Sequence, residues 1–117
     1  MTKASNAVKH LPQSTLEVLR KLGTNLAIAR LRRKESLRVW AQRLGVTVLT
    51  LRRLEAGDPT VSLGILATAL WLINQDHELG RLGAPEHDLG ALELDVREAI
   101  ELGKARARAA DARLNAS

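Results

Sequence analysis

Residues 37–56, LRVWAQRLGVTVLTLRRLEA, are the part of this 117-residue sequence that indicates its fold most directly. Apolar side chains recur in this stretch at helical spacing and so face one small core, which comprises Trp40, Leu44, Val46, Leu51 and Leu54. Gly45 follows the first apolar run where the chain must turn, since glycine accepts a positive φ without strain. The stretch therefore predicts two short helices, 37–44 and 48–56, joined by a tight glycine turn.

The second predicted helix leaves one set of side chains pointing away from that core, namely Val48, Leu49, Thr50, Arg52 and Arg53. This arrangement is typical of a helix-turn-helix, whose second helix lies in the major groove of DNA. An arginine in the groove donates two hydrogen bonds to guanine O6 and N7, which discriminates between bases by roughly 1–3 kcal/mol. The pattern therefore predicts that this face contacts base edges.

Helical patterns continue on both sides of the stretch, and no alternating strand pattern is present. Ser14 or Thr15 is predicted to cap a helix that runs to about Lys34. Within that helix Gly23 costs roughly 1 kcal/mol relative to alanine, and it marks either a close helix contact or a kink. Further helices are predicted at 63–73, 77–82 and 91–114, and the N-caps of the helices at 37, 48 and 63 are predicted to be Ser36, Thr47 and Ser62. The expected fold class is all-α.

The composition favours a small helical protein without a catalytic or metal centre. The chain has two tryptophans and no phenylalanine, tyrosine or cysteine. Without cysteine there is no disulfide framework or thiolate metal site, and a reducing cytoplasm is the natural compartment. The longest apolar stretch, 63–73, is too short to span a bilayer, so no membrane partner is expected. The three histidines lack a ligand spacing and no catalytic motif is visible, so we expect no enzyme activity, no cofactor and no metal.

The net charge of +5 conceals an asymmetry along the chain. Residues 14–57 contain ten Lys or Arg and three Glu, a net of +7, whereas residues 58–102 contain two Arg and nine Asp or Glu, a net of −7. The basic half includes the predicted outward-facing helix, which favours a polyanionic partner. The alternative is that these charges are ordinary solvated helix faces, and only their coincidence with the motif argues against it.

Three segments within residues 22–73 resemble the Xre-type, or Cro/repressor-like, helix-turn-helix domain. They are Leu22-Gly23 followed by Ala29-Arg30, the run AQRLGVT at 41–47, and the run LEAGDPTVSL at 54–63. The resemblance implies a compact five-helix domain that binds double-stranded operator DNA as a homodimer, followed here by a C-terminal helical extension. It also implies a transcriptional repressor that acts on its own or a neighbouring promoter, although activators share the fold.

The same resemblance assigns contacts with the DNA backbone. Thr47 is expected to cap the second helix and to hydrogen-bond a phosphate. Leu37 stands where the family often has a glutamine that clamps a phosphate, and leucine cannot make that contact. Arg38 and Arg43 are therefore expected to supply the backbone contacts instead.

The resemblance also reduces the number of side chains that are expected to read bases through hydrogen bonds. Val48 and Leu49 stand where the family often has polar side chains, and an apolar side chain contacts only a thymine methyl group. Hydrogen-bonded readout is therefore expected from Arg52, Arg53 and Thr50.

Two further roles implied by the resemblance and the spacing are structural. Arg30 and Glu55 match a family ion pair between the first helix and the helix at 48–56, where the pair orients that helix. Trp40 stands where the family more often has leucine, and its spacing to Ala41 and Leu44 predicts a core side chain rather than a DNA contact.

The helix at 63–73 is apolar nearly all round, so it is expected to be buried on more than one side. One interpretation is a homodimer or partner face formed by Ile65, Ala69, Trp71 and Leu72. The alternative is that a terminal helix, 91–102, folds back over it.

The chain is expected to divide into a flexible arm at 1–13, a DNA-binding domain at 14–83 and a partly helical extension at 84–117. The segment HELGRLGAPEHDLG at 77–90 resembles HipB-type antitoxins, which bind their own promoter and a HipA-like kinase. This second resemblance implies an alternative function, in which the chain neutralises a HipA-like kinase toxin through protein–protein contacts. The two functions can coexist in one protein.

Overall fold

A computed structural model describes residues 6–91 and 96–116, which form helices and turns and contain no β-strand. The all-α prediction is therefore confirmed for the described residues. The α-helices are α1 (Asn6–Lys9), α2 (Gln13–Arg32), α3 (Leu37–Leu44), α4 (Val48–Glu55), α5 (Leu63–Leu72) and α6 (Val96–Asn115). Three 3-10 segments, Asp76–Arg81, Pro85–His87 and Leu89–Ala91, lie between α5 and α6.

Hydroxyl side chains cap three of the helices as predicted. Ser36, Thr47 and Ser62 each accept a hydrogen bond from the backbone N–H three residues later, at 3.1, 3.1 and 3.2 Å. Each bond satisfies one of the N–H groups that a helix start leaves unpaired. Gly45 ends α3 in the left-handed region at φ 72° and accounts for the predicted tight turn.

The start of α2 differs from the prediction. The helix begins at Gln13, after Pro12, and neither Ser14 nor Thr15 caps it. The backbone carbonyl of Pro12 accepts the N–H groups of Thr15 and Leu16 at 3.0 and 3.1 Å, so proline, with its preset φ, opens the helix instead. One helical turn, α1, also lies within the segment that the sequence predicts as an arm.

The core lies where four helices meet. It consists of Leu26 from α2, Trp40 and Ala41 from α3, Leu51 and Leu54 from α4, and Ala69 and Leu70 from α5. Trp40 is only 2% exposed, so its prediction as a core side chain is confirmed. The small side chain of Ala41, equally buried, allows α3 to approach its neighbours closely.

Two glycines bring α2 and the end of α4 into backbone contact. A Cβ atom on Gly23 would lie 2.5 Å from the carbonyl oxygen of Glu55, and one on Gly57 would lie 2.6 Å from the Cα of Arg20. Gly57 also adopts φ 77°, which disfavours any other residue. These distances confirm the close-contact alternative for Gly23, and α2 continues unbroken through this position.

The chain divides into two compact units after Leu79, four residues before the boundary expected from the sequence. The side chain of Leu79 packs against the core of the first unit, which explains the earlier boundary. In the second unit α6 runs through Gly103 to Asn115, and the side chains of 98–116 are exposed. The helix predicted at 91–114 also includes residues 92–95, which lie outside the described residues. Within 6–91 and 96–116, no helix combines the length and apolar character needed to cross a membrane.

Candidate nucleic-acid interface

The candidate interface is built on α4, which buries one face and exposes the other. Leu51 and Leu54 face the core at 1% and 6% exposure, whereas Leu49 is 69% exposed and Arg52 is also exposed. Val48 differs from its predicted outward position, since it is half-buried and packs against the core. It stands in the first turn, where its side chain covers the edge of the core. The outward face of α4 is therefore narrower than predicted.

The first turn of α4 is held by two threonines. The hydroxyl of Thr47 accepts the backbone N–H of Thr50 and donates to the Thr50 hydroxyl, both at 3.1 Å. Thr47 is exposed and Thr50 is half-buried. The turn therefore has a fixed shape, and its Thr47 side reaches solvent.

Two arginines predicted to contact the DNA backbone lie on α3. Arg43 stacks over the ring of Trp40, 5.2 Å from its centroid, and pairs with Glu35 at 3.5 Å. Arg38 is exposed and forms no hydrogen bond or ion pair with the residues that the structure describes, and the same holds for Arg52 on α4. Arg38 and Arg52 therefore carry charge that the described protein does not neutralise.

Arg53, in contrast, is bound by the loop that follows α4. Its Nε donates to Asp58 Oδ2 at 2.9 Å, and its Nη2 donates to the hydroxyl of Thr60. Asp58 Oδ1 accepts both the backbone N–H of Thr60, at 2.8 Å, and its hydroxyl, at 2.6 Å. Hydrogen bonds from the hydroxyl and N–H of Thr60 and from Arg53 lower the pKa of Asp58 to about 2, so it is a carboxylate at neutral pH.

Sequence reasoning missed this network. The signal for it is an acidic side chain in the loop directly after the helix, five positions from Arg53, followed by Pro59 and a hydroxyl residue at 60. An aspartate that bonds to the backbone two residues later is a common turn element. Its reach back to Arg53, however, depends on where Gly57 turns the chain.

A buried ion pair ties α4 to α2. Arg30, 8% exposed, donates from Nε and Nη2 to the two carboxylate oxygens of Glu55, at 2.8 and 3.0 Å. Its Nη1 donates to the backbone carbonyl of Glu35 at 3.0 Å. The hydrogen bonds with Glu55 raise the pKa of Arg30 above its ordinary value, and burial opposes that rise only in part. The structure thus contains the pair that the sequence resemblance implies, and it holds α4 in place.

The face of α5 expected to bind a second copy or a partner is rearranged. Ala69 is 1% exposed and belongs to the core, and Ile65 and Leu72 are half-buried against it. Only Trp71 of the predicted set is freely exposed, at 64%, and it is joined on the surface by Leu63. The apolar pattern did not reveal which stripe faces inward, because α5 is apolar on both sides.

The described part of the chain holds no group of three or more His, Cys, Asp or Glu side chains placed to bind a metal ion. Comparisons with protein-family models, with curated proteins and with solved structures find no match to this chain. Its function is therefore inferred from its own residues.

Proposed function

We propose that this chain is a sequence-specific repressor of transcription that binds double-stranded DNA. In this proposal it is a regulator rather than an enzyme, it has the Cro-like five-helix form of the Xre-type family, and it acts as a homodimer on its own or a neighbouring promoter. α4 is the helix that enters the major groove, whose width of about 12 Å admits one α-helix.

The proposal rests on how α4 is held and on what its exposed face carries. One face is buried and tied through Glu55 to Arg30, while the other presents Leu49 and Arg52 to solvent. A short helix held this firmly, with an unneutralised arginine on its free face, suits insertion into a groove lined by phosphates.

The side chains take different tasks in this proposal. Arg52 donates to a guanine edge and Leu49 contacts a thymine methyl group. Arg38 and Arg43 bind phosphates through their side chains, and Thr47 does so through its backbone N–H, because its hydroxyl proton is donated to Thr50. These contacts position the domain without reading sequence. The stacking of Arg43 on Trp40 limits its motion, which favours a positioning role.

Fluorescence-anisotropy titration tests the proposal directly. The full chain is titrated against its own upstream intergenic DNA and against a scrambled duplex, at two salt concentrations. We expect at least about a thousandfold preference for the native duplex, the range of specific protein–DNA complexes. Equal, salt-sensitive binding to both duplexes would leave only phosphate contacts and contradict sequence-specific repression.

Arg52 and Arg38 are expected to respond differently to replacement by alanine. Arg52→Ala removes a base contact, so preference at one base pair per half-site falls by about tenfold. Arg38→Ala removes a phosphate contact, so all duplexes bind more weakly and the salt slope falls by about one. Lys21→Ala, which removes one exposed charge from α2, is the control. The assignments fail if Arg52→Ala weakens both duplexes equally.

The proposed dimer uses the exposed part of α5. Trp71 and Leu63 stand two turns apart on this helix, and between them Gly64 adds no side chain while Thr68 folds its hydroxyl onto the Gly64 carbonyl at 2.9 Å. In a two-fold dimer, the large side chains of each copy pack over the small residues between the large side chains of the other copy. We expect Trp71→Ala to weaken dimerisation at least tenfold in sedimentation equilibrium, whereas Leu114→Ala, at a still more exposed apolar position on α6, leaves it unchanged. A wild-type chain that remains monomeric at all concentrations would contradict the dimer.

The exposure of Trp71 also favours a second candidate function, the antitoxin. In this alternative Trp71 docks on a HipA-like kinase, since tryptophan is enriched among residues that dominate binding. Inhibition of a purified HipA-like kinase by the full chain tests it. Trp71→Ala is then expected to abolish inhibition while Arg52→Ala preserves it, and the absence of inhibition by the wild-type chain would exclude the alternative.

A further inference from the structure

The loop after α4 contains a closed ring of hydrogen bonds that the proposed function does not yet use. Arg53 donates to Asp58 and to Thr60, and the Thr60 hydroxyl in turn donates to Asp58. Because that hydroxyl gives its only proton to Asp58, its oxygen is left to accept from Arg53. Each hydrogen bond in the ring therefore has a fixed donor and a fixed acceptor.

The ring occupies one edge of the Arg53 guanidinium and leaves the other open. A guanidinium has five N–H groups in a fixed planar fork, and the ring uses one on Nε and one on Nη2. Two N–H groups on Nη1 and one on Nη2 have no place in the ring. The open end is the geometry that binds O6 and N7 of guanine, or two phosphate oxygens, with two parallel hydrogen bonds.

The ring is also anchored to the backbone. The N–H of Thr60 donates to Asp58 Oδ1 at 2.8 Å, and the intervening Pro59 restricts the chain between them. The side chains of Arg53 and Asp58 remain 42% and 30% exposed, so both are partly accessible from solvent. An arginine held in this way loses less freedom on binding than a mobile one.

We propose that Asp58 and Thr60 are positioning residues for DNA recognition, which hold Arg53 so that the Nη1/Nη2 end of its guanidinium faces a guanine edge. This inference rests on the proposed function, because it needs a DNA-bound α4. Arg53 keeps its expected role in base readout and performs it as a preorganised side chain. The Asp58 carboxylate then lies near DNA, where its negative charge by itself opposes binding to the phosphates.

Because of this charge, a positioning role for Asp58 predicts different effects on non-specific binding and on sequence preference, which a merely structural role does not. Asp58→Asn removes a negative charge, so binding to scrambled DNA is expected to stay the same or tighten. Asparagine also has one acceptor oxygen in place of two, so it cannot accept from both Arg53 and Thr60 as Asp58 does. The ring is therefore broken, and sequence preference is expected to fall. A loop that only stabilised the fold would weaken both kinds of binding together.

The experiment starts with selection of preferred duplexes from a randomised library by the full wild-type chain. The variants Arg53→Ala, Asp58→Asn, Thr60→Val and Thr60→Ser are then titrated against the selected duplex, against duplexes changed at each position, and against a scrambled duplex. Thermal unfolding midpoints are recorded for each variant, so that loss of folding is separated from loss of preference.

We expect Thr60→Val, Asp58→Asn and Arg53→Ala to lose about tenfold preference at the same guanine position. Replacing that guanine with 7-deazaguanine should reproduce the loss in the wild type and add nothing in Arg53→Ala. Thr60→Ser, which retains the hydroxyl, should keep full preference. The double variant Arg53→Ala/Thr60→Val should lose no more than Arg53→Ala alone, because the two residues act through one contact.

Two outcomes would overturn the inference, and they have different meanings. If the wild type selects no sequence, the proposed function fails and the inference fails with it. If the wild type selects a sequence but Thr60→Val and Asp58→Asn retain its preference, or weaken all duplexes equally, only the positioning role fails.

Discussion

Replacing Glu55 with alanine is expected to destabilise the first unit by about 3–5 kcal/mol, because it leaves the charge of Arg30 buried and unpaired. Both side chains are about 10% exposed, and the pair is bidentate at 2.8 and 3.0 Å. Urea unfolding followed by circular dichroism measures the loss as a change in midpoint at constant slope.

Two control variants separate the buried charge from the pair itself. Glu101→Ala breaks an exposed pair with Lys104, at 3.6 Å, and is expected to cost less than about 1 kcal/mol. The double variant Arg30→Met/Glu55→Leu removes both charges and is expected to recover most of the loss, since apolar side chains of similar size replace buried pairs well. A loss for Glu55→Ala no larger than that of Glu101→Ala would show that the pair is solvated.

Replacing Gly23 with alanine is expected to destabilise the first unit by about 3 kcal/mol, at the upper end of overpacking effects. The added Cβ would lie 2.5 Å from the Glu55 carbonyl oxygen and 2.7 Å from the Gly57 backbone nitrogen. Both are backbone atoms, so relief requires α2 and α4 to separate rather than a side chain to rotate. Thermal unfolding measures the loss of stability. DNA affinity is expected to fall as well, because the added Cβ displaces α4.

Gly103→Ala is the matched control for this substitution. Gly103 also lies within a long helix, α6, but an added Cβ there would meet nothing within 4 Å. Alanine at an open helical position is expected to stabilise the helix by about 0.5–1 kcal/mol. If the two substitutions had the same sign, the close contact at Gly23 would be contradicted.

Much of the helical architecture was predictable because its signals are local. The caps at Ser36, Thr47 and Ser62 and the left-handed turn at Gly45 each depend on a few neighbouring residues. Such signals act through hydrogen bonds and φ preferences within one turn of helix, which the order of residues specifies. The start of α2 was predicted wrongly because two local signals compete there. The helix begins after Pro12 and not at the hydroxyl residues that follow it.

The candidate site was predictable only as a set of residue types at helical positions. Periodicity places Leu49, Arg52 and Arg53 on the outer side of one helix but does not show what each side chain meets. Arg52 is free of the described protein, whereas its neighbour Arg53 is bound by Asp58 and Thr60. The difference arises from the path of the loop after α4, which lies beyond the helix itself.

The sequence alone determined the helical class, the two short helices around Gly45, their caps and the buried positions of Trp40, Leu51 and Leu54, because all of these follow from periodicity and local chemistry. Of the predicted core, Leu44 and Val46 are only partly buried. Only the tertiary structure decided which stripe of α5 is buried, that Gly23 is a backbone contact, and which arginine near the end of α4 is held in a ring. Those outcomes depend on how closely segments distant in the sequence approach one another, and a close-packed interior leaves little room for another arrangement.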